Sequence, residues 1–113
     1  AFAGDGGFAM TMSELETAVR YKLERLVAIV FNNNCYGTIS RHQKREFPGR
    51  NMVTSLGKIN FADIAKATGA EGYSVNRNEE FPIALKSAMG AGRPAVIDVA
   101  VSDKHPGPWD DIN

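Results

Sequence analysis

The unbroken apolar run Leu26-Val27-Ala28-Ile29-Val30-Phe31 constrains this chain more than any other stretch. A strand with one wet face alternates apolar and polar residues, whereas a continuous β-branched run fits a parallel strand covered on both faces. Parallel neighbours need a crossover connection, usually a helix. The segment before the run supplies one. Met12, Leu15, Val19 and Leu23 recur at helical spacing, with Glu14, Glu16, Arg20 and Lys22 on the other faces. Ser13, three residues before Glu16, suits a capping box, and Thr11 is a second candidate cap. Ala1-Phe2-Ala3 reads as the tail of a preceding strand, so the opening of the chain is a βαβ unit.

That topology decides where the polar residues at its two ends go. A right-handed crossover puts the carboxyl ends of both strands on one edge of the sheet, outside which open α/β sheets bind ligands. If the strands are direct neighbours, about 4.8 Å apart, the Asp5 carboxylate and the Asn33 amide oxygen reach a common ion. Gly4, Gly6 and Gly7 let the backbone turn and approach a phosphate with no Cβ in the way, and helix amides just beyond face the same anion. One carboxylate, one amide oxygen and a main-chain carbonyl form a hard oxygen set suited to Mg²⁺ with substrate phosphates. Zinc would call for His or Cys ligands in a pattern absent nearby.

Gly4-Asp5-Gly6, an amphipathic helix, an apolar strand, then Asn32-Asn33 and a closing Tyr36-Gly37 resemble the diphosphate-binding motif of thiamine diphosphate-dependent enzymes. The acetolactate synthase-like group of decarboxylases and carboligases is the most similar branch. The resemblance implies Mg²⁺ ligands at Asp5 (carboxylate), Asn33 (side-chain oxygen) and Cys35 (backbone carbonyl). It implies diphosphate contacts from the Gly6 and Gly7 amides, with Gly4, Tyr36 and Gly37 completing the cofactor-binding set. The interval from Asp5 to Asn33 is one residue longer than is common in the family. The extra residue is placed in the turn from Lys22 to Arg25; were it in the loop, Asn32 would be the ligand.

By the same resemblance the cofactor adds its thiazolium carbanion to a 2-oxo acid, whose carboxylate leaves as CO₂, while a glutamate on a pyrimidine-binding domain triggers ylide formation. No counterpart of that glutamate is found here. The chain is therefore expected to be the C-terminal part of such an enzyme, cut at its start. It would supply half of a cofactor site, with the other half from the rest of the polypeptide or another subunit, in a homo-oligomer. The competing readings are a separately encoded cofactor-binding subunit of a split enzyme and a non-catalytic phosphate-binding or regulatory module. Residues that select the substrate, and any FAD site, would lie on other segments.

Composition agrees with a folded domain. The 113 residues are 43% apolar and 23% charged, with 13 basic and 13 acidic side chains. A net charge of zero gives no overall pull toward nucleic acid or anionic membrane. No apolar run approaches the roughly 18 residues of a membrane span, and no signal peptide is visible. The single cysteine excludes an internal disulfide and fits a cytoplasmic location.

Beyond Gly37 the chain keeps alternating. Thr38 onward reads as a short helix stopped by Pro48-Gly49, carrying the basic cluster Arg41, Lys44, Arg45 and Arg50. That cluster reads first as solvated surface, and otherwise as a rim for an anionic substrate or a neighbouring chain. His42 lacks a visible carboxylate partner, and Cys35 lacks a nearby base, so neither is read as catalytic. Asn51 to Lys58 reads as loop. Asn60 suits the N-cap of a helix whose face is Phe61, Ile64, Ala65 and Thr68, stopped by Gly69. A strand over 72–75 follows. Asn78 then suits a cap for a helix with Glu79 and Glu80 in its first turn and a core face of Phe81, Ile83, Ala84, Leu85, Ala88 and Met89. A buried strand over 94–101 closes the pattern. The tail from Ser102, including Trp109, has loop composition. The order predicts an α/β fold, a parallel sheet with helices on both faces.

Overall fold

The structure is a computed structural model that describes residues 1–102, and the tail residues Lys104 to Trp109 lie outside them. The apolar run becomes an inner strand, and its alternate residues face opposite ways. Strands β1 (Phe2–Gly4), β2 (Val27–Asn32), β3 (Glu71–Val75) and β4 (Ala95–Ala100) form one sheet in the order β1-β2-β4-β3, every pair parallel. Ala28, Val30 and Val96 pack on one side with Leu15, Phe61 and Ala65. Ile29, Ala95 and Ile97 pack on the other with Val75, Ala84 and Ala88. Burial on both faces is why the two inner strands carry nearly continuous apolar sequence.

On the first face lie α1 (Asp5–Thr11), α2 (Glu14–Arg20) and α4 (Phe61–Ala67). The crossover expected as one helix is two. α1 starts directly off β1 at Asp5, and a turn at Met12-Ser13 separates it from α2. The reading by period began at Met12 because Gly6 and Gly7 obscure the earlier turn. Phe8 nevertheless anchors α1, its ring meeting Phe61 edge-on at 5.4 Å. Ser13 does not cap: it is itself helical (φ −59°, ψ −25°) and makes no side-chain cap hydrogen bond. Glu16 pairs instead with Arg20 at 3.0 Å. Leu23 falls beyond α2 and is exposed, since Lys22 at φ 53° has already turned the chain.

Asn60 caps α4 as expected, accepting the Asp63 N–H at 3.0 Å, and Gly69 ends it at φ 88°. The packed face also includes Ala62, which the apolar spacing did not single out. A Cβ on Gly72 would stand 1.9 Å from the Ala62 carbonyl oxygen, so α4 touches β3 backbone to backbone.

α5 (Glu80–Met89) covers the other face through Phe81, Ala84, Leu85 and Ala88. Ile83 and Met89, expected in the core, are exposed because they lie off that i, i+3, i+4, i+7 stripe. The N-cap position of α5 is Glu79 rather than Asn78, and it makes no side-chain cap bond. The Glu80 carboxylate reaches back and accepts the N–H groups of Asn76 at 2.8 Å and Arg77 at 3.2 Å. Between β2 and α4 the chain runs through α3 (Gly37–Glu46) and an irregular segment. Among the described residues no helix is long and apolar enough to cross a membrane.

Candidate functional site

The site grows out of the pairing of β1 with β2. Gly4 lies in register with Phe31, so the residues just past each strand end meet at the carboxyl edge of the sheet. Asp5, the first residue of α1, is 4% exposed. Its Oδ1 accepts the Gly6 N–H at 2.8 Å, while Oδ2 accepts those of Asn33 at 3.1 Å and Cys35 at 3.2 Å. A buried carboxylate is tolerable when it is hydrogen-bonded in this way. The effect is to tie the loop after β2 to the start of α1.

The loop has its own internal frame. Asn33 Oδ1 accepts the Cys35 N–H at 3.1 Å, and Asn34 between them adopts the left-handed region at φ 57°. Asn tolerates that region better than most residues. The irregular segment after α3 braces the loop from outside: Tyr36 N–H donates to the Thr54 carbonyl and Leu56 N–H to the Asn34 carbonyl, both at 2.8 Å.

An open cleft of about 220 Å³ lies against these residues. It is lined by Gly4, Asp5, Gly6, Gly7, Cys35, Tyr36 and Gly37, together with Thr38 and Ile39 at the start of α3. The glycines do different work. A Cβ on Gly4 or Gly7 would meet nothing within 4 Å, so their backbones are bare toward open space. A Cβ on Gly6 would stand 2.5 Å from Tyr36 Cδ1, so the ring seats directly on that glycine.

Of the cofactor-binding set expected from sequence, Gly4, Asp5, Gly6, Gly7, Cys35, Tyr36 and Gly37 line this cleft. Asn33 borders Asp5, and its Nδ2 lies 3.4 Å from where a Gly37 Cβ would be, but it is not among the cleft-lining residues. Asn32 is engaged elsewhere. Its Nδ2 donates to the Ile59 carbonyl and to Asp98 Oδ1, both at 3.0 Å, and its Oδ1 accepts the Asn34 N–H at 3.2 Å. Thr38, Ile39 and Asp98 were missed; only Asp98 left a signal, a charge inside an apolar strand. His42 is exposed on α3, 3.2 Å from Arg45 Nη2, and is not among the residues lining the cleft. Arg45 also pairs with Glu46 at 2.8 Å. Among the described residues no three His, Cys, Asp or Glu side chains group to hold a metal. Asp5 is the one carboxylate among the described residues that line the cleft.

Residues 1–99 match the family model described as thiamine pyrophosphate enzyme, C-terminal TPP binding domain. The chain is 38% identical over 103 residues to a sulfoacetaldehyde acetyltransferase of Alcaligenes xylosoxydans xylosoxydans, covering 88% of this chain and 17% of the relative. It is 35% identical over 99 residues to an acetolactate synthase of Bacillus subtilis (strain 168), with the same 88% and 17% coverage. The fold superposes on the thiamine diphosphate-dependent 4-hydroxybenzoylformate decarboxylase of Rhodococcus jostii RHA1 with a TM-score of 0.83 at 31% identity, over 89% of this chain and 19% of that one. The chain thus spans less than a fifth of the length of these relatives.

Proposed function

Because the chain belongs to the family of C-terminal thiamine pyrophosphate-binding domains of thiamine pyrophosphate enzymes, we propose that its cleft holds the diphosphate of the cofactor through Mg²⁺. The observation that carries this is the state of Asp5. It is buried at the sheet edge, and among the described residues its Oδ1 accepts a single N–H. A carboxylate oxygen offers about two acceptor positions, so Oδ1 retains one for a cation. The bare backbones of Gly4 and Gly7 beside it form a wall that a phosphate can approach closely. Asn33 through its side-chain oxygen and Cys35 through its carbonyl would complete the protein's share of an octahedral oxygen set. Each of the two side-chain oxygens accepts one loop N–H, but the Asn32 amide is also held through its hydrogens by Ile59 and Asp98, away from the cleft, which makes Asn32 the weaker candidate.

When bound, thiamine diphosphate supplies a carbanion equivalent and an electron sink. The residues of this chain bind and orient it: Asp5 fixes the cation, Gly6 seats the Tyr36 ring, and the first turn of α1 directs amides toward the anion. The names of the relatives, an acetyltransferase, a synthase and a decarboxylase, support a 2-oxo acid decarboxylase or carboligase; a pyrimidine-binding domain acting with it and assembly as a homo-oligomer belong to the proposal through the family resemblance alone.

Calorimetric titration of the native protein with thiamine diphosphate tests the reading. Saturable binding is expected with Mg²⁺, with at least a tenfold loss after chelation and a comparable loss in Asp5→Asn, which preserves the side-chain shape. Equal affinity with and without Mg²⁺, or an Asp5→Asn variant that binds normally, would overturn it.

A further inference from the structure

The charge inside β4 connects to the site by a route the cleft does not reveal. Asp98 follows Ala95-Val96-Ile97 and is 8% exposed, between strands on both sides. A carboxylate at such a place is costly to bury unless its oxygens are hydrogen-bonded. Here each oxygen serves a different element. Oδ2 accepts the Phe61 N–H at 2.9 Å, at the start of α4, and Oδ1 accepts Asn32 Nδ2 at 3.0 Å, at the end of β2. Asn32 passes the constraint on, because its Oδ1 accepts the Asn34 N–H at 3.2 Å. Asn34 is the residue with φ 57°, flanked by the two residues whose N–H groups point at Asp5.

The geometry points to Asp98 as a positioning residue for the diphosphate loop. It does not line the cleft. Through Asn32 it holds the left-handed turn at Asn34, and so aims Asn33 and Cys35 at the carboxylate of Asp5. The Ile59 carbonyl, accepting the second Asn32 amide hydrogen at 3.0 Å, keeps that amide from rotating. An interior carboxylate in β4 thereby couples the placement of α4 to that of the loop. The inference rests on the cofactor reading above.

Two variants of the native protein separate this role from plain support of the fold. Asp98→Asn keeps the shape but turns one acceptor into a donor facing an N–H. Asn32→Ala removes the link to the loop and leaves the Asp98–Phe61 bond in place. Affinity for thiamine diphosphate at saturating Mg²⁺ is expected to fall 10- to 100-fold in both, as is usual when a ligand's supporting hydrogen bonds are removed, with native circular dichroism retained. Support of the fold alone would lower the unfolding midpoint and leave affinity unchanged. Folded variants that bind as the native protein does would overturn the inference. So would a loss confined to Asp98→Asn, which would mean that Asp98 acts through α4. Should Asp98→Asn fail to fold, native affinity in Asn32→Ala would still overturn the inference. Failure of the native protein to bind the Mg²⁺–thiamine diphosphate pair would instead remove the functional reading itself, before any variant is compared.

Discussion

Single residues here act through what their backbones present. Gly6 and Gly7 are adjacent in the first turn of α1, yet a methyl group at Gly6 would collide with Tyr36, whereas one at Gly7 would project into empty space. The two glycines should therefore fail differently when replaced. Gly7→Ala is expected to leave the ligand-free protein as stable as before, or more stable by about 0.5–1 kcal/mol, since alanine is the better helix former. Its thiamine diphosphate affinity is expected to fall at least tenfold, because the methyl group occupies space an anion would need. Unfolding midpoints and titrations on the same preparation read both effects. A stable variant with native affinity would place the diphosphate away from Gly7.

At the scale of elements, the helix starts show how caps depend on the chain's path. Asn60 caps α4, but Ser13 and Asn78 do not cap the helices they precede. For α5 the task falls to Glu80, whose carboxylate accepts N–H groups from Asn76 and Arg77 and a 2.9 Å bond from Arg77 Nε. Those N–H groups, the Asn76 amide foremost, hold its carboxyl below the ordinary glutamate range. A carboxyl with a depressed folded-state pKa contributes stability that is fully present above its unfolded value, about 4.3, and that is lost as pH falls through the folded value. Glu80→Gln should accordingly lower the unfolding midpoint at neutral pH by a small amount. The gap between the two proteins should close as pH drops below about 4. A gap that persists into acid would show that the carboxylate's charge is not what holds the start of α5.

For the whole molecule, the described residues supply one wall of a site. Asp5 and the glycines line the cleft, and among the described residues no other acidic side chain does. The stacked rings of Phe2 and Phe31, 6.2 Å apart, are 75% and 42% exposed at the β1 end of the sheet. With the activating glutamate of the family lacking a counterpart in this sequence, the 113 residues alone are expected to give no decarboxylation of pyruvate when supplied with thiamine diphosphate and Mg²⁺. CO₂ release above a protein-free blank would show that the chain carries a complete site.

The sequence alone determined the layered α/β architecture, because burial on both faces demands unbroken apolar runs in β2 and β4, and that composition survives any detail of packing. It likewise brought Asp5 and Asn33 to one sheet edge, since parallel neighbours must end on the same side. It did not reveal that α1 begins at Asp5, because two glycines carry no periodic signal, nor that Ile83 and Met89 stay exposed, because apolar character alone does not fix a helix's rotation. Tyr36-Gly37 favoured Asn33 over Asn32 as the ligand already in the sequence, but nothing in a string of letters showed that Asn32 is held by Asp98 and Ile59. Tertiary structure decided those partners because a hydrogen bond between residues distant in sequence exists only once β2, β4 and α4 are packed together.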